Sequence, residues 1–393
     1  MKRAGLGWSA AFAVLLCLAA NPPAAAERVV AIGDVHGAYE QFVAILQAAG
    51  VIDKDLNWTG GKTILVQTGD VLDRGPGSRQ ALDLLMDLTE KAARQGGEVR
   101  PLLGNHETMV MMGDLRYVSP EEYRSYAAAD SEKTRQTELE NYMKYRKQRA
   151  ARLRQSPPNL GETEKQAWLA SHPPGFFELR QVFAPKGKYG AWLRNRDAIT
   201  QVGDVVFLHG GLSPQSSLKS VKEINEKVRR EIVALDEVWN RLSKKGVVWQ
   251  YMNLEEAQAE AKVEWQALQT GGGGNDNDLM TFLNLRSLNI ISPDGPLWYR
   301  GYAQESDSEF VPKLDQVLKR FKIHHVVVGH TVATSKRITP RYDSRVFMID
   351  TGMLASYFQG RPSALEINDG HFKGIYPGES AQAFATSGDA KTQ

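Results

Sequence analysis

Apolar runs that end in a polar turn recur along the first part of the chain. Such runs cover 28–32, 63–67 and 99–103, and their apolar, partly β-branched composition is typical of strands. The first two lead into segments with apolar positions at helical spacing, 40–49 and 79–92. The order strand, turn, helix predicts an α/β sheet that begins near residue 28.

Strand patterns return further along the chain. They cover 198–208, 323–328, 345–349 and 365–367, and the last of them is expected to close the sheet. We find no internal repeat of fixed period among these segments, so a solenoid or propeller is not expected.

Two long polar stretches separate these strands. They run through 119–154 and 221–269, and their helix-forming, charged residues predict helical insertions at about 114–190 and 214–290. We expect both insertions to form one layer over a single catalytic core, with a separate folding unit as the alternative. The segment from Gly271 to Asp278 is rich in glycine, asparagine and aspartate, which predicts a flexible loop.

The N-terminus has the segment order of a secretory signal peptide. Lys2 and Arg3 precede an apolar run at 10–20, and three alanines end at Ala26, where we expect cleavage. The apolar run is shorter than the roughly 20 residues that cross a bilayer, which disfavours a membrane anchor. Because the single cysteine, Cys17, lies in this run, the mature chain has no disulfide and no thiol ligand. We therefore expect export, to the periplasm if the source is Gram-negative, without stable membrane insertion after cleavage.

Composition adds little beyond this organisation. The chain has 393 residues, of which 42% are hydrophobic and 24% charged, as in ordinary globular proteins. Its net charge of +2 includes two residues of the predicted signal peptide, so the mature chain is close to neutral. A neutral chain does not favour nucleic acid as a partner. We expect a catalytic domain at 27–376 and a flexible tail at 377–393.

Polar residues that ligate metals follow the predicted strands. Parallel strands gather their carboxyl ends at one edge of a sheet, so these side chains are expected to lie together. A lone aspartate or histidine at a strand end is more often a turn former. Six such residues at successive strand ends instead favour a site for two borderline metals, about 3.5–4 Å apart. A carboxylate such as Asp70 would bridge the two metals, together with the hydroxide that attacks phosphorus. The six residues are Asp34, His36, Asp70, Asn105, His209 and His330.

The motifs that contain these residues resemble a known family. The segments 33–37, 69–75 and 104–107, followed by those around His209 and His330, resemble the motifs of the phosphoprotein phosphatase branch of the calcineurin-like metallophosphoesterases. Within that branch, Trp192-Leu193-Arg194 and the segment 294–301 are most similar to the bacterial-type Shewanella-like protein phosphatases.

The resemblance implies a four-layer αββα sandwich with helical insertions. It also implies that Asp34, His36 and Asp70 hold one metal and that Asp70, Asn105, His209 and His330 hold the other. The metals are Mn, Fe or Zn, with Mn expected in vitro. His106 would be the general acid, with Asp73 hydrogen-bonded to it, and Arg74 and Arg300 would bind the phosphate oxygens. For Arg194, the site and a structural role remain alternatives.

The function implied is hydrolysis of phosphate monoesters by a metal-bridging hydroxide. The expected substrate is a phosphorylated Ser/Thr or Tyr side chain of a protein. A small-molecule or dinucleoside polyphosphate hydrolase with the same site is the alternative. A binding protein that has kept only the fold is disfavoured, since the chain retains every ligand, the acid and both arginines.

Overall fold

The computed structural model describes residues 27–156, 161–271 and 273–386, so the predicted signal peptide lies outside the described residues. Eleven strands occur in the described part: β1 Val29–Ile32, β2 Ile64–Gln67, β3 Glu98–Pro101, β4 Ile199–Val202, β5 Val205–Leu208, β6 His325–Val328, β7 Thr339–Arg341, β8 Val346–Met348, β9 Ala364–Asn368, β10 His371–Ile375 and β11 Gln382–Phe384.

The same residues contain fourteen α-helices and a short 3₁₀ turn at Leu285–Ser287. The helices are α1 Tyr39–Ala48, α2 Ser78–Arg94, α3 Asn105–Met111, α4 Pro120–Tyr126, α5 Ser131–Arg152, α6 Glu162–Ser171, α7 Phe176–Phe183, α8 Lys188–Leu193, α9 Val221–Lys244, α10 Leu254–Thr270, α11 Asn277–Leu283, α12 Gly301–Gln304, α13 Asp307–Phe321 and α14 Ala355–Phe358.

The strands form two mixed sheets. The first has the order β11-β10-β9-β1-β2-β3 and the second the order β4-β5-β6-β8-β7. β1, β2 and β3 are parallel, as are β5, β6 and β8, while the outer strands are antiparallel to their neighbours. The carboxyl ends of three parallel strands thus lie along one edge of each sheet.

Alternating strand residues divide the core into layers, because successive side chains point to opposite faces of a sheet. Every second strand residue of both sheets points into one buried cluster, which lies between the sheets. The alternate strand residues point the other way and form a second buried cluster with the helices. The cluster between the sheets includes Val29, Ala31, Ile64, Val66, Val205, Phe207, Val327 and Phe347. The arrangement is the predicted αββα sandwich.

The two helical insertions pack against each other. Tyr145 of α5 donates its hydroxyl hydrogen bond to the carbonyl of Val247, at 2.8 Å, just beyond α9. Arg149 of α5 donates to the Glu260 carbonyl of α10 at 2.8 Å. These contacts tie the first insertion to the second, beside the carboxyl edge of the sheets.

Three sequence expectations differ from the structure. The single strand expected at 198–208 is a hairpin, since Gly203 adopts a left-handed φ of 58° between β4 and β5. The predicted flexible loop ends early, because the Asp276 carboxylate caps α11 by accepting from the Asp278 and Leu279 backbone N–H groups. The predicted flexible tail is wrong in its first part, where β11 pairs with β10.

The sheet also does not close at residue 367, since β10 and β11 extend it beyond β9. None of the helices in the described ranges is long and apolar enough to cross a membrane.

Candidate active site

Two glycine turns bring the ends of β2 and β3 together. A Cβ on Gly69, whose φ is +94°, would lie 2.6 Å from the Cα of Gly104, and a Cβ on Gly104 would lie 2.5 Å from the backbone nitrogen of Asp70. Only glycine allows backbones to approach this closely. The Gly-Asp and Gly-Asn pairs of the sequence therefore position Asp70 beside Asn105.

Several residues of the predicted site adopt left-handed backbone conformations. This region costs a non-glycine residue roughly 1 kcal/mol or more and is enriched at functional sites. The positive angles turn each side chain sharply out of the preceding strand or loop. They occur at His36 (φ 48°), Asp70 (56°), Asp73 (71°), Arg74 (70°) and His330 (66°).

Asp70 lies at the centre of the predicted ligands. Its Oδ2 is 3.2 Å from His209 Nε2 and 3.7 Å from His36 Nε2, and its Oδ1 accepts the His106 backbone N–H at 2.9 Å. Burial alone would raise the pKa of Asp70, but the charges of His209 and His106 outweigh it and hold this pKa well below its usual range. Asp70 is therefore the charged carboxylate shared by both halves of the site.

His209, His330 and Asn105 converge beside Asp70, although they follow strands of different sheets. His209 Nε2 is 2.9 Å from Asn105 Oδ1 and 3.0 Å from His330 Nδ1. His209 Nδ1 lies 3.0 Å from the carbonyl of Thr68, which fixes the ring and leaves Nε2 directed at the cluster. His209 Nε2 thus has an amide oxygen, a carboxylate oxygen and a second imidazole nitrogen within 3.2 Å.

Such crowding of acceptors fits a divalent cation. Two groups of side chains each bring their ligand atoms within 4.8 Å of one another. One group is Asp70, His209 and His330, and the other is His36, Asp70 and His106. Imidazole, carboxylate and amide donors are those that Mn, Fe and Zn accept. The residues present therefore fit the metals that the sequence resemblance implies.

The first ligand pair, Asp34 and His36, is held next to this cluster. His36 Nε2 lies 3.9 Å from Asp34 Oδ2, and His36 Nδ1 lies 2.9 Å from the carbonyl of Leu72, which orients the ring. Burial lowers the pKa of His36 to about 3, so its imidazole is neutral and its Nε2 can ligate. Both Asp34 oxygens lie within 3.2 Å of the His330 backbone N–H, so Asp34 joins the two sheets.

His106 and Asp73 form a buried pair. His106 Nδ1 is 2.6 Å from Asp73 Oδ2, while Nε2 faces the Arg74 guanidinium at 3.3 Å. Burial would lower the pKa of His106, but the charge of Asp70 and the hydrogen bond to Asp73 outweigh it and raise this pKa. The environment thus favours the charged form of the ring, and Nε2 faces Arg74 and Asp70.

Both predicted arginines border the cluster. Arg300 donates from one nitrogen to the carbonyl of His330 and to the Thr331 hydroxyl, at 3.0 and 2.9 Å. Burial lowers the pKa of Arg300, although Asp34 and Asp70 act in the opposite direction. Arg74 lies beside His106, so one guanidinium group adjoins His106 and the other adjoins His330.

Sequence comparison supports the same reading. The chain matches the calcineurin-like phosphoesterase family over residues 27–333. It belongs to this family.

The curated relatives of this calcineurin-like phosphoesterase include phosphatases. An uncharacterized protein of Schizosaccharomyces pombe is 28% identical over 89% of this chain and 81% of its own. Shewanella-like protein phosphatase 1 of Plasmodium berghei is 26% identical over 88% of this chain and 74% of its own. The crystal structure of a cold-active protein-tyrosine phosphatase from a psychrophilic Shewanella species aligns with a TM-score of 0.55 at 25% identity, covering 92% of this chain and 81% of that one.

These similarities confirm the sequence resemblance to the Shewanella-like branch and the metallophosphoesterase fold. The protein is a metal-dependent phosphatase.

Sequence reasoning missed two carboxylates of this phosphoesterase site. Glu107 accepts the backbone N–H groups of Asp70 and Val71 at 2.8 Å and that of Gly104 at 2.7 Å, so it holds both glycine turns in place. Asp350 follows β8 and accepts the Gly352 N–H at 2.9 Å, and burial raises its pKa to about 6. The position of Asp350 after a strand is the signal that could have identified it. For Glu107, the signal is that it lies within the recognised motif 104–107.

A third buried carboxyl, Glu122 of α4, lies behind Asp73. Its Oε2 has no hydrogen-bond partner, and neither has Asp73 Oδ1. Burial and then the neighbouring Asp73 carboxylate raise the pKa of Glu122 well above its ordinary value. Glu122 therefore holds its proton more tightly than an exposed glutamate does.

Arg194 is occupied by structural contacts. Its guanidinium forms a fork on the Asp236 carboxylate of α9, with N–O distances of 2.6 and 2.8 Å, and it also donates to the carbonyls of Phe183 and Gly190. Of the two alternatives for this residue, the structure supports the structural one.

Proposed function

We propose that the protein is a two-metal phosphate monoester hydrolase that removes phosphate from phosphorylated side chains of proteins. The observation that carries this proposal is the convergence of six candidate ligand residues beside the His106–Asp73 pair, with Arg74 next to His106 and Arg300 next to His330. The relatives named as protein phosphatases, and the solved protein-tyrosine phosphatase, support a protein substrate.

The ligand assignment follows the two halves of the site. Asp34, His36 and Asp70 would hold one cation, and Asp70, Asn105, His209 and His330 the other, with Mn²⁺ as our first choice. When bound, the cations polarise the phosphoryl oxygens and lower the pKa of the water that attacks phosphorus.

The chain's own residues then complete the reaction. Arg74 and Arg300 would bind the phosphate oxygens, since guanidinium forks suit such anions. His106 Nε2 would donate its proton to the leaving oxygen, and Asp73 keeps the ring oriented and charged for this step. No protein nucleophile is required.

Hydrolysis by the chain from Glu27 tests this proposal. We would measure kcat/KM with Mn²⁺ on phosphotyrosine, phosphoserine and phosphothreonine peptides and on diadenosine tetraphosphate, before and after chelation. We expect metal-dependent turnover that is at least about tenfold more efficient on a phosphopeptide. A faster reaction with the dinucleotide would instead support the small-molecule alternative, and no turnover with Mn²⁺, Fe²⁺ or Zn²⁺ would exclude both hydrolases.

We also propose that the chain is exported and that the mature protein begins at Glu27. The order of basic, apolar and small residues before Glu27 supports this. N-terminal sequencing of the protein recovered from the periplasm or medium of a Gram-negative host tests it. Recovery only in the cytoplasm with Met1 intact would contradict export.

A further inference from the structure

Two exposed tyrosines lie at the predicted phosphate site. Large hydrophobic side chains are exposed at five described positions, and three of these lie on the insertion helices α9, α10 and α11. The remaining two, Tyr117 (38% exposed) and Tyr357 (55% exposed), both contact Arg74. Exposed aromatic side chains beside a predicted catalytic group call for an explanation, since water is not their preferred neighbour.

The two rings are placed by separate parts of the chain. Tyr117 lies between α3 and α4, and its carbonyl accepts the Arg74 backbone N–H at 2.8 Å. Tyr357 lies in α14, shortly after Asp350 at the end of β8. Each ring centroid is 4.7 Å from the guanidinium carbon of Arg74. The fold therefore brings two rings from distant parts of the chain, one before α4 and one in α14, to the same arginine.

Tyr117 also adjoins the predicted acid, whereas Tyr357 is linked through Phe358 to the predicted ligand His36. The Tyr117 and His106 rings have centroids 5.1 Å apart. Tyr357 packs edge-on against Phe358 at 4.7 Å, and Phe358 in turn lies 5.4 Å from the His36 ring. Both tyrosines thus border Arg74, with Tyr117 on the side of His106 and Tyr357 on the side of His36.

A substrate must place its leaving group beside Arg74 and His106. Arg74 is predicted to bind phosphate oxygens, and His106 Nε2, 3.3 Å from Arg74, is predicted to protonate the leaving oxygen. The atoms attached to that oxygen then lie beyond His106, next to Tyr117 and Tyr357. An aromatic leaving group can pack against these rings, whereas the short methylene of a phosphoserine offers little surface to them.

We propose that Tyr117 and Tyr357 form the walls of a leaving-group subsite and make the enzyme favour aryl over alkyl phosphate monoesters. This inference rests on the proposed phosphatase function and assigns it a substrate class. On a protein, the favoured group is phosphotyrosine. The competing role for the rings is to hold the Arg74 guanidinium in place by cation–π contact.

The two roles differ in what they do to phosphate binding. A ring that only positions Arg74 affects every phosphate ester equally and also weakens inhibition by inorganic phosphate, which has no leaving group. A ring that contacts the leaving group changes the aryl-to-alkyl ratio and leaves that inhibition constant unchanged.

The experiment compares Tyr117→Leu and Tyr357→Leu with Tyr117→Phe and Tyr357→Phe in the metal-loaded chain. The substrates are phenyl phosphate and glycerol 2-phosphate, then phosphotyrosine and phosphoserine peptides of otherwise identical sequence. Met280→Ala, which changes an exposed apolar residue of α11, is the control. Thermal unfolding of each variant reports that folding is intact.

We expect each leucine variant to lower kcat/KM about tenfold on aryl esters and less than twofold on alkyl esters, with an unchanged inhibition constant for phosphate. The phenylalanine variants and Met280→Ala should keep the wild-type ratio. Equal losses on both ester classes, or a weakened phosphate inhibition, would overturn the subsite and leave the rings as supports for Arg74.

Failure of the proposed function is a separate outcome. If the peptides are poor substrates, the ratio of phenyl phosphate to glycerol 2-phosphate still tests the subsite. An unchanged ratio in the leucine variants overturns the inference even when the enzyme proves to be a protein phosphatase.

Discussion

The proposed acid of the site, His106, has its ring held by a buried carboxylate. Asp73 Oδ2 lies 2.6 Å from His106 Nδ1, and the Asp73 side chain is fully buried. This contact leaves only Nε2 for the substrate and explains why the sequence places a GDxxDR motif and a GNH motif on neighbouring turns.

Removing this acid should affect poor leaving groups most. For His106→Asn we expect kcat on an alkyl phosphate to fall by about 10²–10⁴ and on p-nitrophenyl phosphate by much less, because nitrophenolate leaves without a proton. Steady-state kinetics on both esters checks this. The aryl-to-alkyl ratio should therefore rise, opposite to the change expected for the tyrosine variants. His324→Asn, which alters an exposed histidine paired with Asp204, should change neither rate. Equal losses on both esters would contradict the role of acid.

Glu122 provides a prediction on pH. Its pKa is raised above its ordinary 4.5 in the folded protein, so the folded state binds this proton more tightly than the unfolded chain. The contribution of protonated Glu122 to the free energy of unfolding is complete below pH 4.5, and it is lost as the pH rises through the folded-state pKa. Glutamine has no proton to lose. The free energy of unfolding of Glu122→Gln, relative to wild type, should therefore increase with pH by at most about 1.4 kcal/mol per unit.

Urea unfolding of the metal-loaded protein at several pH values from 5 to 8 measures this difference. Glu121→Gln is the matched control, since Glu121 is the exposed neighbour of Glu122 on α4. Parallel pH profiles for wild type and Glu122→Gln would show that Glu122 titrates normally.

At the scale of elements, Arg194 fastens the end of α8 to α9. The side chains of Arg194 and Asp236 are 10% and 23% exposed, and their two contacts are 2.6 and 2.8 Å long. Partly buried, bidentate pairs of this kind contribute more than exposed ones. The Trp-Leu-Arg segment that resembles the Shewanella-like group thus joins the two insertions in this protein.

We expect Arg194→Met to lower the free energy of unfolding by about 2–3 kcal/mol, because Asp236 loses its partner in a partly dry site. Activity of the folded variant should stay within about twofold, since Arg194 donates to no site residue. Arg230→Met is the control, as its pair with Glu226 on α9 is exposed and should contribute about 0–1 kcal/mol. A double-mutant cycle with Asp236→Asn isolates the pair, and a coupling energy near zero would contradict this assignment.

Elements with a strong local pattern were predicted well, and those without one were not. β1, β2, α1 and α2 lie within a few residues of the predicted bounds. The β4–β5 hairpin was read as one strand because β-branched residues lie on both sides of Gly203-Asp204. β11 was read as tail because it is only three residues long, with Gln382 and Ala383 exposed, and forms a strand only by pairing with β10.

At the scale of the whole molecule, buried carboxylates from both sheets meet at one edge. Burial and then the charge of Asp350 raise the pKa of Asp34 well above its usual range. Cations that bind here relieve this repulsion and bind the folded state only, which stabilises it.

Chelation should therefore lower the melting temperature by about 5 °C, corresponding to roughly 4 kcal/mol for a ligand at 1,000 times its dissociation constant. Asp34→Asn should show a smaller shift, because it weakens one cation site and removes a buried charge from the metal-free protein. Differential scanning calorimetry with and without chelator measures both. Identical shifts for wild type and Asp34→Asn would contradict Asp34 as a ligand, and His371→Asn, on β10 far along the chain from the motifs, serves as the control.

The sequence alone determined the family, the fold and the ligand candidates, because each strand and the glycine turn after it are encoded by neighbouring residues. It also placed Asp34, Asp70 and Asn105 at strand ends, where α/β sheets carry their sites. Tertiary structure decided which of these ends meet. His209 contacts Asn105 across 104 positions, and Tyr357 contacts Arg74 across still more of the chain. Such contacts depend on how two sheets pack over a buried core, and a local pattern carries no record of a partner that is distant in sequence.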